Sequence, residues 1–133
     1  MSETKTAYYF ARTLPVSLEE AEARVRELLQ REGFGVLTEI DVQATLKKKL
    51  NIEVRPYKIL GACNPHFAHQ ALQAEPHIGT MLPCNVIVRQ TDDGQTEVAA
   101  IDPVASMQAV DNPALRPIAE QVRERLQRII ERL

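Results

Sequence analysis

The stretch ILGACNPHFAHQALQAEPHIGTMLPCNVIV, residues 59–88, holds both cysteines, all three histidines and three of the eight prolines. With Tyr57 and Lys58 in front of it, its first part reads as a strand ending at Cys63. Alternation puts Tyr57, Ile59, Gly61 and Cys63 on one face and Lys58, Leu60 and Ala62 on the other. Asn64-Pro65 then starts a helix, because asparagine is a favoured N-cap and proline a favoured first helical residue. Phe67, Ala68, Ala71 and Leu72 give that helix its apolar stripe, and Glu75-Pro76 ends it. A loop with Gly79 and Pro83 leads to a second apolar run, Cys84 to Val88, which is strand-like. If the two strands are antiparallel neighbours, the end of one lies beside the start of the other and Cys63 and Cys84 are close. If they are parallel, the thiols lie at opposite ends of the sheet. The residues alone leave both arrangements open.

Working outward toward the N-terminus, residues 1–6 are polar and read as a flexible segment, ahead of one domain over residues 7–133. Tyr8 to Arg12 is a short strand. Ser17 and Glu20 form a capping box for a helix whose stripe is Leu18, Ala21, Val25, Leu28 and Leu29, with Gly33 at its C-terminal end. Phe34, Val36, Thr38 and Ile40 alternate along a strand. Asp41 caps a short helix with Val42, Leu46 and Leu50 turned inward. Lys47, Lys48 and Lys49 near its end compensate the helix dipole. Three lysines are a small patch for nucleic acid. Asn51 to Pro56 is a loop.

Toward the C-terminus, Val86 to Gln90 and Glu97 to Ile101 are joined through residues 91–95, where Asp93-Gly94 is a hairpin signal. Asp102-Pro103 ends the second strand, and Val104 to Val110 reads as an irregular connection. Asn112-Pro113 repeats the device of Asn64-Pro65. The last helix carries Leu115, Ile118, Ala119, Val122, Leu126, Ile129, Ile130 and Leu133 at helical spacing. Its arginines, Arg123, Arg125, Arg128 and Arg132, interleave with Glu120, Glu124 and Glu131 and read as a solvated face. The predicted order is β-α-β-α-β-α-β-β-α. The last four strands form a meander under the first and last helices, an α+β two-layer sandwich with a mainly antiparallel sheet. The apolar stripe of the last helix is long for one small sheet, so part of it is expected to cover a second copy in a homodimer.

One hundred and thirty-three residues, 44% apolar and 26% charged, suit a globular domain with its own core. A formal net charge of −2 exerts no pull toward nucleic acid. No run is long and apolar enough to span a membrane. The first residues lack a secretory core, so a cytoplasmic location with reduced thiols is expected.

At Phe34-Gly35-Val36-Leu37, at Tyr57 through Pro65, at Leu82-Pro83-Cys84-Asn85-Val86 and at Asp102-Pro103, the chain resembles the family called domain of unknown function 302. The match runs in order over nearly the whole chain, and the cysteine-asparagine-proline and proline-cysteine segments are its most specific parts. The resemblance implies a compact fold similar to a single repeat of the TATA-box-binding protein with extra helices, usually dimeric. It implies an antiparallel meander, which would bring Cys63 near Cys84. It implies no activity, although some relatives are associated with sulfur metabolism.

Three readings of the central stretch compete, and none decides whether the protein is an enzyme or names a cofactor. In the first, Cys63 before a helix N-terminus is an activated thiolate that takes a sulfur species, with Cys84 as its resolving partner. Asn64 and the following N–H groups would stabilise negative charge and His66 would act as a base. The bland counterpart is that both cysteines are small buried hydrophobes. In the second, Cys63, His66, His69, His77 and Cys84 supply soft donors for zinc or copper, though no paired motif has structural-site spacing. In the third, Tyr57, Gly61, Asn64, Pro65, His66 and Pro83 frame a small ligand pocket without chemistry. Gly61 signals close approach of something, either a packed helix or a ligand. Small-ligand or sulfur-species binding through a thiol at a helix N-terminus is the reading preferred here.

Overall fold

The computed structural model describes residues 3–5 and 8–133. Among these residues the strands are β1 (Glu3–Lys5), β2 (Tyr9–Leu14), β3 (Gly35–Asp41), β4 (Tyr57–Cys63), β5 (Cys84–Gln90) and β6 (Thr96–Ile101). The helices are α1 (Leu18–Arg31), α2 (Val42–Leu50), α3 (Pro65–Ala74), α4 (Pro103–Ser106) and α5 (Leu115–Arg132), with a 3-10 helix over Pro76–Met81. The six strands form one sheet in the order β1-β2-β6-β5-β4-β3, every neighbour antiparallel. The expected meander is therefore β3 to β6, and β2 adds to its far side. Of the expected flexible segment, Glu3–Lys5 pair with β2 and the rest lies outside the described residues.

One face of the sheet is covered by helices. Phe10 and Leu14, Leu60 and Ala62, Val86 and Val88, and Val98 and Ala100 stand on that face and are buried. Ala21, Val25 and Leu29 of α1 meet them, as do Val122, Leu126, Ile129 and Ile130 of α5. Each fully buried aliphatic side chain contributes roughly 1.5–3 kcal/mol, so this layer holds the fold. Of the expected capping box the N-cap half forms: Ser17 Oγ accepts from the Glu20 amide at 3.1 Å, and the Glu20 carboxylate accepts from Arg24 at 3.3 Å. Gly33 follows α1 at φ +86°, a conformation that favours glycine, and the Phe34 amide donates back to the Leu29 carbonyl at 2.9 Å.

Most of the α5 stripe is used within this chain, and Ile118 and Leu133 are half-buried against its core. Leu115, Ala119, Val122, Leu126, Ile129 and Ile130 are all buried within this chain. The helix outreaches the sheet because its first turns cover a second cluster, Leu115 with Ala71 of α3 and Ile78 of the 3-10 helix.

Other local expectations shift for physical reasons. Leu37 is bulged out of the β3–β4 pairing, so Val36 joins the helix face while Thr38 and Ile40 stand on the opposite one. Leu50 is 62% exposed, not turned inward, because α2 meets mainly β3 and β4 and buries no residue of its own. Asn112 does not open α5: its side chain accepts from Ala114 N and donates to the Ala74 carbonyl at 2.8 Å, and the helix begins at Leu115. The segment after Asp102 begins as a short helix, with Asp102 Oδ1 accepting from Val104 N at 3.0 Å.

Candidate functional site

The β4–β5 register decides how the two thiols meet. Ala62, not Cys63, lies opposite Cys84, and Cys63 lies opposite Gly35 of β3. Residues opposite one another share a face, and neighbours along a strand alternate. Cys84 therefore sits with Ala62 on the helix side, and Cys63 follows Gly61 on the other. Both cysteines are free thiols, close enough that ionised Cys63 raises the Cys84 thiol further.

Burial opposes the thiolate expected at a helix N-terminus. It pushes the Cys63 thiol above its ordinary value of 9.0. Cys84 is driven up to about 11, by burial first and by the neighbouring Cys63 second. At neutral pH both groups are protonated thiols. Pro65 at the first helical position has no N–H to offer a thiolate, and the Asn64 side chain is turned elsewhere.

Asn64 is buried, at 7% exposure, and stands at the N-cap position of α3 without capping it. Its Nδ2 donates instead to the Glu32 carbonyl at 3.3 Å. It packs on Gly33, where a Cβ would stand only 3.1 Å from Nδ2. Among the described residues no donor reaches Asn64 Oδ1. The Glu32 carbonyl also accepts from Arg125 Nη1 at 3.1 Å, and Arg125 lies over the Phe67 ring at 5.2 Å. The Glu32 carboxylate takes two bonds from Arg128, at 2.7 and 2.8 Å, with Arg132 at 3.7 Å. This cluster ties the end of α1 to α5 and to the start of α3.

Asn64, Cys63 and Cys84 line a cavity of about 30 Å³ that Phe67, Pro83 and Met107 help to close. A single water needs roughly 10–15 Å³ of such space, so the cavity takes a guest of only a few heavy atoms. Its walls are almost wholly apolar, which favours a neutral guest.

Of the residues expected at the site, Cys63, Asn64, Pro83 and Cys84 come together here. Pro65 and His66 are exposed on the outer side of α3, and His66 lies outside the cavity lining. Tyr57 is at the opposite end of β4, paired with Arg89. The close approach at Gly61 is to side chains and not to a packed helix: a Cβ there would strike Thr38 Oγ1 and stand 2.8 Å from the Pro83 ring. His69 and His77 are exposed like His66, so the five metal donors do not converge. No group of three or more His, Cys, Asp or Glu able to hold a metal occurs among the described residues. Asp102, whose carboxylate pairs with Arg123 at 3.2 Å, serves its helix cap and α5. Sequence reasoning missed Glu32 and read Met107 only as a packing residue, which it also is. The signal for Glu32 was the run of α5 arginines, which outnumbers the glutamates beside it.

Fold and site together define a small α+β domain with a one-sided antiparallel sheet and a thiol-lined cavity at one end. The chain belongs to the family described as domain of unknown function DUF302, whose sequence model it matches over residues 10–133. It is similar to a solved structure described as an uncharacterized conserved protein DUF302 from Bacillus stearothermophilus. The two are 30% identical, with a TM-score of 0.88 over 96% of this chain and 98% of that one. No curated protein matches. Among the described residues no helix is long and apolar enough to cross a membrane.

Proposed function

We propose that the protein is a small-ligand-binding domain whose cavity beside Cys63, Asn64 and Cys84 takes a small neutral guest. A neutral sulfur species such as hydrogen sulfide is the class that suits it, since the protonated Cys84 thiol and an apolar wall favour a soft, weakly polar molecule. The observation that carries the reading is the buried Asn64 Oδ1, which has no protein donor beside a cavity large enough for a guest. A guest with one S–H or O–H donor would satisfy it, and an unsatisfied buried acceptor otherwise costs about 1–3 kcal/mol. A reducing cytoplasm would keep both thiols in the required state. Titration with hydrogen sulfide at mildly acidic pH, where it is neutral, should shift the Asn64 side-chain amide resonances in a saturable way. Unchanged resonances at all concentrations would contradict the reading and leave a water as the guest.

A second reading, an interaction homodimer with inert thiols, is supported by a different observation. The sheet face turned away from the helices carries Ile40 at 47% exposure and the half-buried Ile59, Ile87 and Ile101. Antiparallel sheets that face water usually alternate to polar residues there.

A further inference from the structure

The chain has three tyrosines, from two distant segments, and the sheet gathers all three at one hollow. Tyr9 pairs with Ile101, Tyr57 with Arg89 and Arg89 with Glu97. Residues opposite one another share a face, and neighbours along a strand alternate. Phe10, Val88 and Val98 are buried on the helix side, and Lys58 donates to Glu22 of α1 at 2.9 Å. Tyr9, Tyr57, Arg89 and Glu97 therefore stand on the face turned away from the helices. Asn85 joins them: it follows Cys84 on β5 and so faces away from the cavity that Cys84 lines. Tyr8, 60% exposed, meets the Tyr9 ring edge to face at 4.9 Å between centroids. The hollow that these residues line measures about 320 Å³, within the usual range of small-molecule pockets.

We propose that this hollow is a second binding site, for a flat, uncharged heteroaromatic molecule of the purine type. It is independent of the cavity beside Cys84. Tyrosine rings wall it from the β2 side and from the β4 side, and the half-buried Ile87 and Ile101 supply apolar surface between them. Such walls suit the π-face of a flat ring, which stacks on tyrosine whatever its edge carries. Polar groups of both kinds meet the edge. Arg89 Nε donates to Glu97 Oε1 at 2.7 Å, which holds the two side chains in place. One bond uses a small part of what a guanidinium and a carboxylate offer, so both can bond a guest. The exposed Asn85 adds an amide that donates and accepts. Donors beside acceptors match a ring whose N–H groups and acceptor nitrogens or carbonyls alternate along its edge. Charge selects further. Glu97 balances Arg89, and an anionic guest would meet the carboxylate. Among the described residues Arg89 is the one cation in the lining, whereas a nucleic-acid backbone is held by several lysines or arginines. The guest is thus a free small molecule. A bound ring also covers Ile87 and Ile101, on a face where an open antiparallel sheet usually turns polar.

Titration of the whole chain with adenine, followed in nitrogen-proton correlation spectra, tests this. Saturable shifts at Asn85, Ile87 and Arg89 are expected, and an unmoved Phe67 separates this site from the cavity beside Cys84. Tyr57→Leu should weaken binding roughly tenfold, the usual loss of one stacking ring. Tyr57→Phe, which keeps the ring, should bind like the wild type. Asn85→Leu, at an exposed position, should also weaken binding, and it decides the matter if Tyr57→Leu fails to fold. The absence of any saturable shift with adenine up to its solubility overturns the proposal. So does wild-type affinity in folded Tyr57→Leu or in Asn85→Leu. Adenosine monophosphate binding much more tightly than adenine would overturn the uncharged class and assign the hollow to a phosphate.

Discussion

Cys84 pairs with Ala62, one residue short of Cys63, and the two thiols accordingly leave the sheet on opposite faces. A disulfide needs its two Cβ atoms about 3.5–4.5 Å apart and directed at one another. Mild oxidation of the native protein should therefore leave no Cys63–Cys84 bridge. Peptide mapping after blocking free thiols checks this, and a linked peptide pair carrying both residues would show that the strand ends rearrange.

Burial raises both thiols, which fixes a pH dependence. A group whose folded value lies above its unfolded one stabilises the fold below the unfolded value and loses that contribution as pH rises through the folded one. For Cys84 the window runs from the ordinary 9.0 to about 11. Stability measured by urea unfolding should fall across that interval, and Cys84→Ala should flatten the fall. An equally steep fall in the variant would assign it to other groups.

Glu32 acts at the acid end. Its bonds from Arg128, more than the opposing effect of burial, hold its carboxyl below the ordinary 4.5. The stabilisation is present above that unfolded value and is lost as pH falls through the lower, folded one. Glu32→Gln should cost about 2 kcal/mol at neutral pH, a buried-pair loss reduced by the exposure of the arginines. The same variant should have a shallower acid limb. Urea unfolding at neutral and acid pH reads both effects, and a neutral substitution would show that the arginines find other partners.

Much of this was legible in the sequence where one local force decides. Ser17 with Glu20, Gly33 and Asp93-Gly94 act through their own backbone, and each stands where its chemistry places it. The strand and helix flanking Asn64 were equally legible. The Asn64 side chain was not, because its partner, the Glu32 carbonyl, is 32 residues away and is delivered by tertiary packing. The lowered thiolate failed for the same reason: helix-terminus chemistry was visible in the sequence, but the burial that outweighs it was not. Leu37 broke the alternation of its strand because a bulge at a sheet edge has no marker in residue type. The row of isoleucines on the sheet face away from the helices emerges only from the register, which aligns Ile40, Ile59 and Ile87 from three separate segments.

Gly61 should tolerate no side chain. A Cβ there meets the Pro83 ring at 2.8 Å as well as Thr38 Oγ1. The threonine hydroxyl can rotate away, but the proline ring cannot. Gly61→Ala should cost about 1–3 kcal/mol, the usual penalty of overpacking. Pro83→Ala in the same background should recover part of it. A Gly61→Ala variant as stable as wild type would mean that the strand end yields freely.

The most direct measurement is a titration of labelled protein with hydrogen sulfide at mildly acidic pH, following the Asn64 side-chain amide by nitrogen-proton correlation spectra. Saturable shifts at Asn64, Phe67 and Cys84, lost in Asn64→Leu, are the predicted result. That variant also loses the Nδ2 bond to the Glu32 carbonyl, which keeps its bond from Arg125, so its fold is checked by circular dichroism and the shifts are read at Phe67 and Cys84. No saturable shift at Asn64, with the wild type folded throughout, would contradict a guest-binding cavity.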